Sequence, residues 1–260
     1  MLYYIDQKSF VKEKTLGRGR KNKNPLLNGL LVVDKPLGWT SANVVSKARR
    51  ATGFAKVGHT GTLDPLATGV LVLCVGKATK LAQQIVDDVK TYQTEIDLSA
   101  FTQTDDLEGD REEIFVEKPP SLARISEVLA GFVGIIEQQP SMFSAIKING
   151  KRAYDLARQG CQVVMPTRRV RIDQIVLIDY AWPVLNIRVV CGKGTYIRSL
   201  GRDIGKALGT GGHLVSLRRE RVGMFGLADA VGVDRLDEGI GGGDLLPLSE
   251  PWPRGAAEKE

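Results

Sequence analysis

The order of hydrophobic and polar positions along the chain predicts strands and helices in irregular alternation. Apolar runs typical of buried strands occupy residues 29–33 and 70–76, and residues 91–98 alternate like a strand with one wet face. Ser41 is the expected N-cap of the first helix. Because strands outnumber helices without a regular βαβ repeat, the pattern favours an α+β fold, a mixed and mainly antiparallel sheet flanked by helices, over a doubly wound sheet. Further strands are predicted at residues 144–148, 169–178, 184–191 and 214–224, and helices at residues 41–53, 78–86, 121–129, 152–158 and 196–208.

The two ends of the chain differ in composition from its middle. The chain has 260 residues, which suits one large domain or two small ones, and residues 1–24 hold seven lysines and arginines against two acids. We interpret them as a flexible basic arm, either a solvated tail or a nucleic-acid contact. Residues 234–260 are rich in glycine, proline and acids, which predicts an irregular tail. The folded domain is therefore expected at residues 25–233.

Charge and cysteine usage narrow the class of protein. The net charge of +6 suggests an anionic partner, although many proteins without one are as basic. Cys74, Cys161 and Cys191 are far apart, and two lie in apolar runs, which favours buried free thiols in the reducing cytoplasm over disulfides. With only His59 and His213 besides, no zinc-binding spacing can be assembled. No apolar run is long enough to span a membrane, and the N-terminus does not resemble a signal peptide.

The loop at residues 57–69 has the densest unusual composition in the chain. It contains three threonines, His59 and Asp64 among several glycines, between two apolar stretches. A lone aspartate before a proline ordinarily caps a turn, and a lone histidine is ordinarily a satisfied loop residue. The concentration of small and polar residues here shifts the balance toward a functional site.

Spacing tests disfavour a nucleotide cofactor. A P-loop needs a glycine five residues before its Gly-Lys pair and a Ser or Thr directly after it. Around Gly76 and Lys77 those positions hold Leu71 and Ala78, so the pattern fails twice. No G-x-G-x-x-G lies between a strand and a helix either.

Arg198 stands apart from the other basic residues of its helix. Arg198, Arg202 and Lys206 recur every four residues, a spacing typical of a solvated face. Arg198 lies in the first turn, where the helix dipole disfavours a cation. A specific anionic partner such as a carboxylate would explain its position.

Basic clusters and aromatic residues together suit RNA with unstacked bases. The clusters occupy residues 147–152 and 217–221. Tyrosines in strands more often serve core packing, so this signal is weak alone. The aromatic residues are Tyr92, Phe143, Tyr154 and Tyr196.

Taken together, the motifs resemble the TruB family of tRNA pseudouridine synthases over roughly residues 25–230. They keep their order and spacing along that length. The motifs are GLLVVDKPLGWTS (29–41), VGHTGTLDPLATGVLVLCVGKATK (57–80), KTY (90–92), QQPSMFSAIKINGKRAYDLARQG (138–160), CGKGTYIRSLGRDIG (191–205) and LRR (217–219).

The resemblance implies a pseudouridine synthase fold with a central RNA-binding cleft, and isomerisation of uridine 55 in the T-loop of tRNA. It implies Asp64 as the catalytic aspartate, acting as nucleophile toward the sugar or as base at C2′, with Arg198 as its partner and Tyr196 near C5. No metal, nucleotide or redox cofactor is implied, and the T-arm of tRNA is the implied partner of a monomer. The implied substrate-binding residues are His59, Tyr92, Leu217, Lys35 and Lys77.

The chain also departs from the family pattern. Gln103 replaces an acid in T-D-T-x-D-x-x-G, which puts the local loop in doubt, and Gly192 replaces a usual serine. Residues 234–260 are too few for the C-terminal PUA domain of many members. That shortage disfavours a guide-RNA-dependent relative of the dyskerin type. A non-catalytic tRNA-binding or tRNA-folding protein is the second alternative, and the joint presence of Asp64, Tyr92 and Arg198 disfavours it.

Overall fold

The computed structural model describes residues 27–80, 82–86, 88–144, 147–148, 151–153 and 165–248. The predicted basic arm, Cys161 and most of the predicted helix 152–158 lie outside these residues. The helices with described bounds are α1 (Ser41–Ala51), α2 (Ala82–Val86), α3 (Leu122–Gly131) and α4 (Ile197–Leu208). The strands are β1 (Gly29–Lys35), β2 (Val57–His59), β3 (Ala67–Val75), β4 (Lys90–Asp97), β5 (Ala100–Thr102), β6 (Arg111–Glu113), β7 (Gly134–Gln138), β8 (Lys147–Ile148), β9 (Lys151–Arg152), β10 (Arg168–Ala181), β11 (Val184–Cys191), β12 (His213–Val222), β13 (Phe225–Gly226) and β14 (Val231–Gly232).

Ten of the described strands form one mixed sheet. Its main path runs β14-β1-β3-β12-β4-β11-β10-β7, with β2 added to β3 and β13 added to β12. Along this sheet, β14 pairs with β1 and β3 pairs with β12 in parallel, and the other pairings are antiparallel. The predicted mixed, mainly antiparallel α+β sheet is therefore confirmed.

The core lies on both faces of the sheet because successive strand residues point to opposite sides. On one face, Leu31 and Val33 of β1 belong to the large cluster that also buries the apolar sides of α1, α3 and α4. On the other face, Leu30 and Val32 pack in a smaller cluster with Ile85 of α2. Each such side chain contributes roughly 1.5–3 kcal/mol through burial.

Several local predictions are corrected by the structure. The N-cap of α1 is Thr40, whose side chain forms a capping box with Asn43, and Ser41 is the first helical residue. The predicted loop 57–69 contains β2 and the start of β3. The predicted helix 78–86 is a 3₁₀ turn at Gly76–Lys80 followed by the short α2. Of the strand predicted at residues 144–148, the last two residues form β8, which pairs with β9, and residues 145–146 lie outside the described part of the chain.

The two described cysteines are free and buried, as predicted. Burial raises the pKa of both the Cys74 and the Cys191 thiol to about 11. Among the described residues, no helix is long and apolar enough to cross a membrane.

The segment after residue 233 packs on the core over its described part. It consists largely of 3₁₀ turns, and Leu236, Ile240 and Leu245 are buried in the large cluster. Leu246 exchanges two backbone hydrogen bonds with Leu30 of β1. The division into a domain at 25–233 and a tail at 234–260 stays a prediction.

Candidate active site

The loop with Asp64 lies where two strands, β2 and β12, pair with the same edge of β3. Strand β3 is paired with β1 along one edge, and its other edge is shared by two strands. At that edge His59 of β2 is paired with Leu73, and Leu217 of β12 is paired with Ala67. Residues 60–66, here called the Asp64 loop, connect the end of β2 to the start of β3.

Hydrogen bonds from several elements fix the Asp64 loop. The hydroxyl of Ser41 accepts a bond from the Leu63 N–H (2.8 Å) and donates one to the Leu63 carbonyl (3.0 Å). The Gly38 N–H donates to the carbonyl of Pro65 (2.9 Å). Arg219 donates from Nη2 to the carbonyl of Gly61 (3.1 Å). The backbone around Asp64 is therefore held on both sides of the carboxylate.

Arg198 holds the Asp64 carboxylate at the start of α4. Its Nη2 lies 3.0 Å from Asp64 Oδ2, and its Nη1 lies 2.9 Å from Asp106 Oδ2. The side chain of Arg198 is 7% exposed and that of Asp64 is 40% exposed, so the pair lies at the edge of the interior. Burial opposes the charge of Arg198, but Asp64, Asp106 and Asp105 outweigh it and raise its pKa. These carboxylates are the anionic partners that its first-turn position indicates.

The floor of the site is one face of two neighbouring strands. Tyr92 of β4 is paired in register with Arg219 of β12, and Leu217 lies two residues along on the same face. Burial raises the pKa of the Tyr92 phenol, against the opposing influence of the neighbouring Arg219. Arg219 is 2% exposed and donates from Nε to the carbonyl of Val70 (2.7 Å).

One wall of the site is built around Tyr196, the N-cap of α4. The side chain of the buried Gln138 accepts a bond from the Tyr196 N–H (2.8 Å) and donates to its carbonyl (3.0 Å). The guanidinium of Arg168 lies 4.3 Å from the centre of the Tyr196 ring. This residue is therefore held through its backbone and through its ring.

Five of the eight site residues chosen from the sequence line one open cleft of about 280 Å³, namely Asp64, Tyr92, Tyr196, Arg198 and Leu217. The other three lie outside that lining.

Each of those three residues makes its own local contacts. His59 accepts a bond at Nδ1 from the Gly61 N–H (3.3 Å), and burial, followed by the charge of Arg219, lowers its pKa. Lys35 is buried and donates to the carbonyls of Pro36 (2.9 Å) and Trp39 (2.6 Å). Burial lowers the pKa of Lys35 to about 8, against the opposing attraction of Asp64. Lys77 is exposed on a 3₁₀ turn.

Sequence reasoning missed Arg219, Asp106 and Arg168 as members of the site. The LRR motif and the T-D-T-x-D-x-x-G loop contained the first two, but neither was selected. Despite Gln103, that loop buries Asp106 and places its carboxylate against Arg198.

The arrangement presents an accessible carboxylate, fixed by a guanidinium, in a cleft with two tyrosines. A carboxylate so placed can act as a nucleophile or as a general base. Within the described part of the chain, no group of three or more His, Cys, Asp or Glu side chains is placed to hold a metal ion.

Comparisons with known proteins match this chain along most of its length. Residues 49–197 match the model of the TruB family pseudouridylate synthase N-terminal domain, and residues 198–241 match that of the tRNA pseudouridylate synthase B C-terminal domain. The tRNA pseudouridine synthase B of Ralstonia pickettii is 46% identical over 87% of this chain and 72% of its own. That of Mycolicibacterium paratuberculosis is 48% identical over 81% of this chain and 73% of its own.

Solved structures show the same fold. A Cbf5-Nop10-Gar1 complex gives a TM-score of 0.62 at 28% identity, over 83% of this chain and 61% of that one. An H/ACA RNP bound to a substrate RNA containing 2'-deoxyuridine gives 0.61 at 28% identity, over 80% of this chain and 52% of that one. This chain therefore spans between half and two thirds of those chains, and the expected pseudouridine synthase fold is confirmed. With a family model over more than half of its residues, the chain belongs to the TruB family of pseudouridylate synthases, which are isomerases.

Proposed function

We propose that this protein converts uridine 55 in the T-loop of tRNA to pseudouridine, with Asp64 as the catalytic residue. The observation that carries the proposal is the ion pair between Asp64 and Arg198 (3.0 Å) at the edge of a cleft lined by aromatic residues. The tRNA pseudouridine synthase B name of the similar proteins supports tRNA as the substrate.

A single well-placed carboxylate is enough for the central step of this reaction. The N1–C1′ bond breaks, the uracil turns, a C5–C1′ bond forms, and the proton on C5 leaves. Asp64 takes part either as nucleophile at C1′ or as base at C2′, which gives a glycal. Arg198 orients the carboxylate, and the 40% exposure of Asp64 leaves it accessible from the cleft. The proposed reaction uses no cofactor.

The remaining site residues bind and shape the substrate in this proposal. Tyr92 stacks on the target uracil, Leu217 lines the pocket, and Tyr196 lies near C5 for the final proton removal. Base extrusion costs a few kcal/mol, which stacking in the pocket offsets. His59 fills the space that the extruded base leaves. Lys35 and Lys77 complete the proposed substrate-binding set from outside the lining of the cleft.

The proposal is tested by tritium release from C5-labelled uridine in a T-arm RNA. Asp64→Asn keeps the size of the side chain and removes its negative charge, so release should fall on the order of 10³-fold or more. Asp244→Asn is the matched control, because Asp244 is also a partly exposed partner of an arginine but does not line the cleft. No release by the wild type would refute the enzyme, and equal release by Asp64→Asn would refute the role of Asp64.

The same assay separates the alternative functions. Release from a T-arm RNA without any guide RNA or partner protein excludes a guide-dependent enzyme, the alternative that the length of the C-terminal segment already disfavours. A tRNA-binding protein without catalysis would bind the RNA and release no tritium. The T-arm as partner, a monomeric state without protein partners and a cytoplasmic location belong to this proposal.

A further inference from the structure

Arg168 has buried donors that the described structure does not use. It begins β10 and lines the cleft, and its Nε and Nη2 are buried without a hydrogen-bond partner. Burial lowers the pKa of this guanidinium. A buried donor left unbonded costs about 1–3 kcal/mol, and more when it is charged. An unbonded pair of this kind inside a binding cleft points to an acceptor that the ligand brings.

The guanidinium of Arg168 packs against the Tyr196 ring. The distance of 4.3 Å between Arg168 Cζ and the ring centre is that of a cation–π contact. Tyr196 is itself held by Gln138 through two hydrogen bonds. The contact with this ring therefore restricts the guanidinium of Arg168 before any ligand binds.

The wall around Arg168 favours negative charge. The twelve-residue helix α4 begins at this wall. Its first turn has no acidic residue, and its N-cap residue, Tyr196, makes no capping hydrogen bond with its side chain. The N-terminus of a helix attracts anions through its dipole and free N–H groups. The exposed Lys193 lines the same cleft.

We propose that Arg168 binds a phosphodiester of the target RNA next to the extruded uridine, through parallel hydrogen bonds from Nε and Nη2. The planar fork of an arginine matches two oxygens of one phosphate, which the single ammonium of lysine cannot do. The inference deepens the proposed function and rests on RNA being the substrate. It makes Arg168 the residue that fixes the backbone while the base enters the cleft.

Phosphate replacement tests the inference. Equilibrium binding is measured at fixed salt with T-arm RNAs in which one phosphate of the loop at a time is an uncharged methylphosphonate. The wild type should lose about 10-fold in affinity at one position beside the target uridine, which corresponds to about 1.4 kcal/mol. Arg168→Met should bind unmodified RNA about 10-fold more weakly and lose nothing more at that position, because the two changes remove the same contact.

Two variants serve as controls. Arg168→Lys keeps the positive charge but not the two parallel donors, so its affinity should still fall, by less than that of the wild type, when that phosphate is replaced. If Arg168→Met does not fold, Arg168→Lys takes its place in the comparison. Arg169→Met removes an exposed arginine from the opposite face of β10 and should leave the position of sensitivity unchanged.

Three outcomes would overturn the inference. In the first, Arg168→Met loses as much affinity as the wild type when the same phosphate is replaced. In the second, Arg168→Met binds unmodified RNA as tightly as the wild type. In the third, the affinity of the wild type is unaffected by replacement of any loop phosphate. Because the readout is binding, the scan decides the role of Arg168 even if the tritium assay refutes catalysis.

Discussion

Arg219 connects three separate parts of the chain beneath the cleft. It donates to Val70 of β3 and to Gly61 of the Asp64 loop, and it is paired in register with Tyr92 of β4. These groups come together only when β12 lies between β3 and β4. The floor of the site and the stability of the sheet therefore depend on one buried guanidinium.

We expect Arg219→Met to destabilise the fold and impair catalysis together. The substitution leaves the buried carbonyl of Val70 without its donor, at about 1–3 kcal/mol, and also removes the bond to the partly buried carbonyl of Gly61. Urea unfolding should show a lower midpoint, and Arg219→Lys should recover part of it. Arg221→Met, at an exposed arginine of the same strand, should cost less than about 0.5 kcal/mol. Equal midpoints for Arg219→Met and wild type would contradict this expectation.

Lys35 should make stability depend on pH in a defined window. Its pKa is about 8 in the folded protein and 10.5 ordinarily. Between these values the unfolded chain binds a proton that the folded chain does not, so the unfolding free energy contributed by Lys35 rises with pH. Below about pH 8 both states are protonated and the cost of burying the charge is fully present.

The melting temperature of the wild type relative to Lys35→Met should therefore rise between pH 7.5 and pH 9.5. Lys56→Met, at an exposed lysine, is the control and should follow the wild type across this range. A constant difference between wild type and Lys35→Met would show that burial does not destabilise the ammonium.

The importance of a single residue could be predicted where that residue departs from a local sequence preference. A cation in the first turn of a helix made Arg198 conspicuous, and the structure supplies its carboxylate partners. Arg219 lies in the basic cluster at residues 217–221, which suits RNA binding and gives no sign of burial. Only strand pairing distant in sequence buries it, so no local pattern could reveal it.

Among the elements, β3 and β12 approach each other closely at Gly69. Gly69 has a φ of +100°, and a Cβ there would lie 2.2 Å from the carbonyl oxygen of Arg219. The glycine is paired in register with Arg219, so the same contact places the guanidinium below the cleft. The parallel pairing of these strands needs a residue without a side chain at this point.

Gly69→Ala should cost about 1–3 kcal/mol or more, because the new methyl group meets backbone and the positive φ becomes strained. Chemical denaturation should show this loss together with reduced tritium release. Gly232→Ala is the control, since no atom lies within 4 Å of a Cβ there and its φ is negative. If both variants unfold at the same denaturant concentration, the close approach at Gly69 is not a constraint.

Elements with a long, regular pattern were predicted well, and short ones were not. The strand predicted at 184–191 is β11, residue for residue. Most of the missed strands have only two or three residues, too few to show an alternation; they are β2, β5, β6, β9, β13 and β14. The five-residue β7 was missed as well. The cap of α1 was misplaced by one residue because Thr40 and Ser41 are both good caps. The hydroxyl of Ser41 instead bonds to the distant Leu63.

At the scale of the whole molecule, the net charge of +6 predicts salt-dependent binding of tRNA. Phosphate contacts release condensed counterions, so the affinity should fall about 10-fold or more between 50 and 200 mM salt. Filter binding measures this slope, and unfolding curves at both salt concentrations show whether the protein stays folded. An affinity that barely changes would argue against an interface dominated by phosphates.

The architecture was predictable as a class, from the excess of strands and from the resemblance of ordered motifs. The packing of residues 234–248 was not, because their glycine-rich composition shows no helical or strand period. Their three buried apolar side chains, Leu236, Ile240 and Leu245, are spaced irregularly and find partners only on the finished core.

The pairing of β2 with β3 also fixes the distance that the Asp64 loop must span. His59 is paired beside Leu73, six residues from Ala67 along β3, which is about 20 Å. The turn closed by the bond from Ala67 N–H to the Asp64 carbonyl covers about 6 Å of this distance. The five steps from His59 to Asp64 then span roughly 14 Å of a possible ~17 Å. The Asp64 loop therefore has almost no spare length, and a loop two residues shorter could not reach the position of Asp64 unless β2 came away from β3.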